Sequence, residues 1–184
     1  MLALGTPSIA AEADRLVWIS AESQAEVSII SGTEEELNPE PGRLIAEGTR
    51  IKSGDTVSLI RIEPQNTLLV LSPSTEIQVL SLAGNSLESR TRISLQKGKL
   101  RITGTTQEEQ PIIIRTPRAV FRIHSADAGV QVLPDSEDGG AVRSGRVEMR
   151  NMETGERVTL PPATGATTGA DIFQPQPLEE PEWT

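Results

Sequence analysis

The sequence has no cysteine, no tyrosine and a single histidine, with only two tryptophans and two phenylalanines among 184 residues. Without cysteine there is no disulfide, no thiolate nucleophile and no thiolate metal site. That absence leaves the redox compartment open. Aromatic residues make up 2% of the chain. Enzyme pockets, lectin sites and base-stacking surfaces draw on more aromatic area than this. The core must therefore be built almost wholly of Val, Ile and Leu. Positive charge is also scarce, with 17 Lys and Arg against 26 Asp and Glu and a formal net charge of -9. Bulk electrostatics thus repel nucleic acid and anionic membranes. No run approaches the roughly 20 apolar residues of a membrane span. Clean helical periodicity is missing as well.

What is present is alternation with period two. In the stretch Thr67–Ile102, Leu68 to Leu71 form an apolar run that Ser72-Pro73-Ser74-Thr75 stop. Ile77 and Val79 alternate with polar residues up to Ala83-Gly84-Asn85-Ser86. Ile93 and Leu95 alternate again, Gln96-Lys97-Gly98-Lys99 are read as a turn, and Leu100 and Ile102 resume. Short alternating runs bounded by Pro, Gly, Asn and Ser are the strand signature. The same signals recur from Gly42 to Val158, with turns at Ser53-Gly54-Asp55, Glu63-Pro64-Gln65-Asn66 and Asn151 to Gly155. Strands at this spacing predict an all-β sandwich, barrel or solenoid.

One domain with tails is expected. Residues 1–13 read either as the remnant of a signal peptide, with small residues Ser8, Ala10, Ala11 and Ala13 at cleavage-type spacing, or as a disordered N-terminus. Residues 14–41 hold leading strands and the acidic loop TEEELNPEPG, and residues 42–160 the main β domain. Residues 161–184 are rich in Pro, Thr, Gly and Glu with no Lys or Arg, and are expected to be a disordered tail, with Phe173 and Trp183 as residues that could dock back.

Catalytic patterns are weak. His124 could pair with Asp127 or Asp135, but no Gly-x-Ser-x-Gly string is present, and Ser31, Ser53 and Ser144 each precede a glycine where a turn is expected. Asp135 to Gly140 lacks the alternate oxygen spacing of a helix-loop-helix calcium site and reads as a hairpin tip. No catalytic residue, metal ligand or cofactor site is assigned. The charge distribution says more. Between Arg90 and Arg122 lie eight basic residues and only Glu108 and Glu109, a segment of about +6 (eight minus two) in an acidic chain. Arg90, Arg92, Lys97, Lys99 and Arg101 are the candidate partner-binding residues. The competing reading is a solvated face whose charges protect strand edges.

The order of turns from about Gly42 to Thr168 resembles the FecR-type domain of bacterial extracytoplasmic proteins. Leu44, Gly48, Ile51 and Ser53-Gly54-Asp55 are similar to its opening element. Leu69, Leu71, Ser72-Pro73-Ser74-Thr75 and Ile77 resemble its strand-turn-strand, and Ile93, Leu95, Lys97-Gly98 and Leu100 its central turn. Ile114, Thr116-Pro117 and Ala119-Val120 resemble the next entry, and Val142, Gly145, Val147, Met149 and Asn151 the closing hairpin. The sequence departs from the family at His124-Ser125-Ala126, where members carry Arg-Gly-Thr, while the following Asp is kept as Asp127. The resemblance implies a solenoid-like all-β fold, with a β-sandwich as the alternative, placed in the periplasm or secreted. It also implies a non-enzymatic interaction, sensory or scaffold module that binds an envelope protein or an acidic glycan or cell-wall polymer. Known members relay signals from an outer-membrane transporter to an anti-sigma segment. A glycan-acting enzyme on a β-helix and a purely structural envelope protein are the competing functions.

Overall fold

The computed structural model describes residues 13–84, 90–104, 110–133, 137–169 and 173–178. All but the last residue of the segment read as a leader, and Trp183, lie outside these. Among the described residues the chain is all-β, with one short 3-10 turn at Gln24–Glu26 and no α-helix. Its strands are β1 (Arg15–Ala21), β2 (Ser28–Ile30), β3 (Glu36–Leu37), β4 (Leu44–Ile45), β5 (Arg50–Lys52), β6 (Ser58–Glu63), β7 (Thr67–Leu71), β8 (Glu76–Ser81), β9 (Arg92–Thr103), β10 (Ile112–Arg115), β11 (Ala119–Val132), β12 (Asp138–Asn151), β13 (Arg157–Leu160), β14 (Thr164–Thr167) and β15 (Gln176–Pro177).

Three long strands organise the rest. β9, β11 and β12 are bent, and each half pairs with different neighbours. The first half of β9 lies between β8 and β10, and its second half between β7 and β11. The outcome is two limbs. One runs β4-β1-β6-β7, then through the second halves of β9 and β11 and the first half of β12 to β14 and β15. The other runs β3-β2-β5-β8, then through the first half of β9, β10, the first half of β11 and the second half of β12 to β13. β9, β10 and β11 pair mutually and close a small barrel where the limbs meet.

The inward faces of both limbs share one core. Trp18, Ile60, Ile62, Leu69 and Leu71 come from the first limb, and Ile51, Ile77, Ile93, Ile114 and Phe121 from the second, all 0% exposed. Strict alternation delivers them: β7 reads buried, half-buried, buried, half-buried, buried. Each such Ile or Leu contributes about 1.5–3 kcal/mol by leaving water.

The all-β expectation holds, but the pairing is not that of a solenoid. Only β9–β10 is parallel among the described pairs, whereas stacked coils would make parallel ladders throughout. The segment Gln96-Lys97-Gly98-Lys99, read from sequence as a turn between strands, is a bend inside one 12-residue strand. Leu95 pairs with Ile77 and Lys97 with Glu76, so β9 carries one extra residue there. The bulge switches the inward set from Ile93 and Leu95 to Leu100 and Ile102.

The sequence turns converge on that bend. Thr75 Oγ1 donates to the Lys99 carbonyl at 3.0 Å and accepts the Lys99 N–H at 3.1 Å. Ser53 Oγ donates to the Ser72 carbonyl at 2.7 Å and accepts the Thr75 N–H at 3.0 Å. Gly98 has φ +87, and a Cβ there would stand 2.5 Å from Thr75 Oγ1. Buried Ser and Thr are satisfied here by the backbone of neighbouring turns, which locks the three turn motifs together.

At His124-Ser125-Ala126 no glycine is needed on β11. The register slips between His124 and Asp127, and the left-handed residue is supplied across the ladder by Gly145 of β12, at φ +87. Residues 161–178, assigned from composition to a disordered tail, join the sheet as far as they are described. β14 pairs with the start of β12, and β15 with β14. Small side chains make this possible. Leu178 lies so close over Gly165 that a Cβ there would stand 2.9 Å from Leu178 Cδ2, and Phe173 packs against the core.

Candidate functional site

The bend in β9 separates the five basic residues singled out in the sequence. Arg90 precedes the strand. Arg92 projects outward from the second limb, and Lys97 sits on the bulge beside Glu76. Lys99 and Arg101 project from the outer face of the first limb. Arg101 is taken up by Asp127, with Nε to Oδ1 and the terminal nitrogen to Oδ2 both at 2.8 Å. Thr103 Oγ1 also donates to Asp127 Oδ1, at 3.2 Å. The Arg101 hydrogen bonds hold the Asp127 carboxyl below its ordinary range, and Asp127 in turn raises Arg101.

A different set of cations does converge. On β9 to β13 of the second limb, Ile93, Ile114, Phe121, Ile123, Val147, Met149 and Leu160 point inward, so their neighbours point outward. Cross-strand pairing places Arg157 beside Arg150, Arg150 beside Val120, Val120 beside Arg115, and Arg115 beside Ser94. The adjacent row runs Thr159, Glu148, Arg122, Ile113, Arg92, and Arg146 lies opposite His124 beyond it. Strands about 4.8 Å apart and rows about 7 Å apart put these residues on a patch roughly 20 Å wide. Six arginines and one carboxylate face outward there, a local +5 (six minus one) within a chain of -9.

Four of those charges have no close counter-ion among the described residues. Arg146 reaches Glu148 only at 3.9 Å, and His124 Nε2 stands 3.7 Å from the same oxygen. Arg115, Arg122, Arg150 and Arg157 are exposed and have no ion-pair partner among the described residues. At the other end of this limb Lys52 pairs with Glu76 at 3.3 Å and Arg50 with Glu34. On the opposite limb Arg61 pairs with Glu63 at 2.8 Å. The arginines enclose a shallow depression of about 230 Å³, lined by Val120, Arg122, Glu148, Arg150, Arg157 and Thr159 among others. A larger groove of about 490 Å³ lies on the other limb, floored by Gly129, Gly139, Ala141 and Gly165 and walled by Gln176 and Leu178.

Sequence reading found Arg92 and, through the basic segment, Arg115 and Arg122. It missed Arg146, Arg150 and Arg157. Their signal was the alternation Arg146-Val147-Glu148-Met149-Arg150, hidden because nearby Glu148, Glu153 and Glu156 cancel the charge of that stretch when it is summed along the chain. Of the serines that precede a glycine, Ser144 lies opposite Asp127, whose carboxylate is taken up by Arg101. Ser53 is held in the turn network, and Ser31 Oγ bonds Thr33 Oγ1 at 2.9 Å. Of the acidic hairpin tip, residues 134–136 lie outside the described set. Asp138 is buried, and its Oδ2 accepts the Arg118 N–H at 2.6 Å. Among the described residues no three His, Asp or Glu side chains are grouped to hold a metal ion, and no helix is long and apolar enough to cross a membrane.

Comparison with known proteins agrees with the architecture. One solved structure of a candidate anti-sigma factor from Parabacteroides distasonis ATCC 8503 superposes with a TM-score of 0.58 at 16% identity, covering 71% of this chain and 60% of its own. A second candidate anti-sigma factor structure from the same organism gives a TM-score of 0.52 at 18% identity, covering 63% of this chain and 53% of its own. The chain therefore spans about half to three-fifths of the length of those proteins, and at such identity the likeness is one of fold. No curated protein matches the sequence. The family model described as FecR protein matches residues 49–148. That span runs from the residue before β5 to the second half of β12 and includes the turn network, the bends of β9, β11 and β12 and four of the six arginines of the basic face, and on it the chain belongs to the FecR family.

Proposed function

We infer that this chain is a non-enzymatic regulatory or sensory module of the bacterial cell envelope, working outside the cytoplasm by binding another protein. One observation carries the reading. The family-matched strands, continued by the end of β12 and by β13, form a two-limbed scaffold on whose outer face Arg115, Arg122, Arg150 and Arg157 have no ion-pair partner among the described residues, although the chain as a whole is acidic. Isolated surface charges contribute little. Six like charges on one face repel one another, and such a cluster is best accounted for by a partner that neutralises it. The anti-sigma description of the fold relatives supports a place in signal relay, with a protein rather than a small molecule as the ligand.

The test is reconstitution. Proteins retained by the chain from an envelope fraction of its host are identified, purified singly and remixed with it in sedimentation velocity. A saturable complex of fixed stoichiometry is expected. Release of reducing ends when the chain meets envelope polysaccharides would contradict the reading and favour a glycan-acting enzyme.

A further inference from the structure

Which face such a partner meets, and with what chemistry, follows from the arrangement of the arginines; this step rests on the protein-binding reading above. We propose that the outer face of β9–β13 docks an acidic segment of a protein partner, in which carboxylates flank an apolar side chain. Arg150 and Arg157 stand side by side on neighbouring strands, as Arg122 does with Ile113. Guanidinium forks take carboxylates in paired hydrogen bonds, which lysine cannot match. All six cations of this face are arginine. Half-buried Ile113 and Val120 lie between them, each flanked across the strands by arginines. This gives an apolar footing at the middle of the charged ring, where a Leu or Val of the partner would leave water and strengthen the surrounding ion pairs.

The size of the patch selects against a long polyanion. Potentials decay over about 8 Å at physiological salt. An acidic peptide segment fits within a patch of roughly 20 Å. A nucleic acid or an extended acidic polysaccharide would run beyond it, past the arginines that could hold it. The two ends of the limb differ: towards β3 the cations Arg50 and Lys52 are paired with Glu34 and Glu76, whereas towards β13 Arg115, Arg122, Arg150 and Arg157 have no ion-pair partner among the described residues.

Fluorescence anisotropy tests this with a labelled peptide of mixed Glu and Asp carrying central leucines. Its comparators are an amide version in Gln and Asn, a version with serine for leucine, and heparin. The full chain is used as wild type, as the combined variant Arg122→Glu, Arg150→Glu, Arg157→Glu, as the milder set with Gln at the same positions, and as Arg143→Glu on the opposite limb. The acidic peptide should bind saturably and weaken with salt. It should lose at least about tenfold in affinity in the Glu set, less in the Gln set, and be unchanged by Arg143→Glu. The amide peptide should not bind, and the serine version should bind more weakly. Equal binding by the Glu set with an unaltered circular dichroism spectrum overturns the proposal. So does heparin binding as tightly as the acidic peptide while serine replaces leucine without loss, because a generic polyanion site is then enough. If the reconstituted partner binds but the peptide does not, the docking chemistry fails and the protein-binding reading stands. If no protein binds at all, the reading itself fails.

Discussion

Substitution of Gly98 by alanine should destabilise the fold far more than the same change at Gly155. Both glycines are left-handed, at φ +87 and φ +78. Placing an L side chain there costs about 1–2 kcal/mol. At Gly155 nothing lies within 4 Å of the new Cβ, so the conformational cost is the whole effect. At Gly98 the Cβ would stand 2.5 Å from Thr75 Oγ1, 2.6 Å from Thr75 Cα and 2.9 Å from the Ser74 carbonyl. Two of those atoms are backbone, so the turn itself must move. Movement breaks the Thr75 hydroxyl's bonds to Lys99 and leaves part-buried groups unpaired, at about 1–3 kcal/mol. The total for Gly98→Ala is then roughly 2–5 kcal/mol, against about 5–15 kcal/mol for a typical domain. Urea unfolding followed by the fluorescence of fully buried Trp18, in a background with Trp183→Phe, measures it. If Gly98→Ala falls within about 0.5 kcal/mol of Gly155→Ala, the turn network does not hold the bend of β9 and the reasoning is wrong.

Further outcomes follow from the same packing. Gly140→Ala should destabilise by crowding alone, since its Cβ would meet Phe121 Cε1 at 2.4 Å; adding Phe121→Leu should recover part of the loss, a favourable coupling readable in a double-mutant cycle. Asp127→Asn should lower stability at neutral pH. Because the Asp127 carboxyl is depressed below its ordinary 3.8, its contribution is complete above that value and disappears as pH falls through the depressed pKa, so wild-type and variant stabilities measured by urea titration should converge under acid conditions. Replacing Arg122, Arg150 and Arg157 by Gln should leave the urea midpoint unchanged or raise it slightly, because exposed like charges are diluted.

The strands and turns were legible because both are local signals. Ser53-Gly54 and Ser72-Pro73-Ser74-Thr75 stand where the sequence placed them, and alternation named Leu69, Leu71, Ile77, Val79, Ile93 and Leu95 as core. Continuity was not legible. A glycine between two alternating runs reads alike whether the chain reverses or merely bends, so the sequence divides β9 in two. The same ambiguity hid β11 and β12, whose two halves serve different limbs. The order in the tail is hidden for another reason. Gly165 and Ala166 carry no hydrophobic signal, yet their small size is what lets β14 lie under Leu178. The basic face was half found, because strands distant in sequence bring Arg92, Arg115, Arg122, Arg146, Arg150 and Arg157 together, and charge summed along the chain cannot register that.

The arginine face as the docking surface is tested most directly by site-specific photo-cross-linking in the native envelope. A photoreactive residue is placed at Arg122 or Arg150 on one limb, and at Arg61 or Arg143 on the other. The account predicts a discrete protein adduct from Arg122 and Arg150, competed by the acidic peptide, and none from Arg61 or Arg143. Adducts arising only from Arg61 or Arg143, or equally from all four positions, would contradict it.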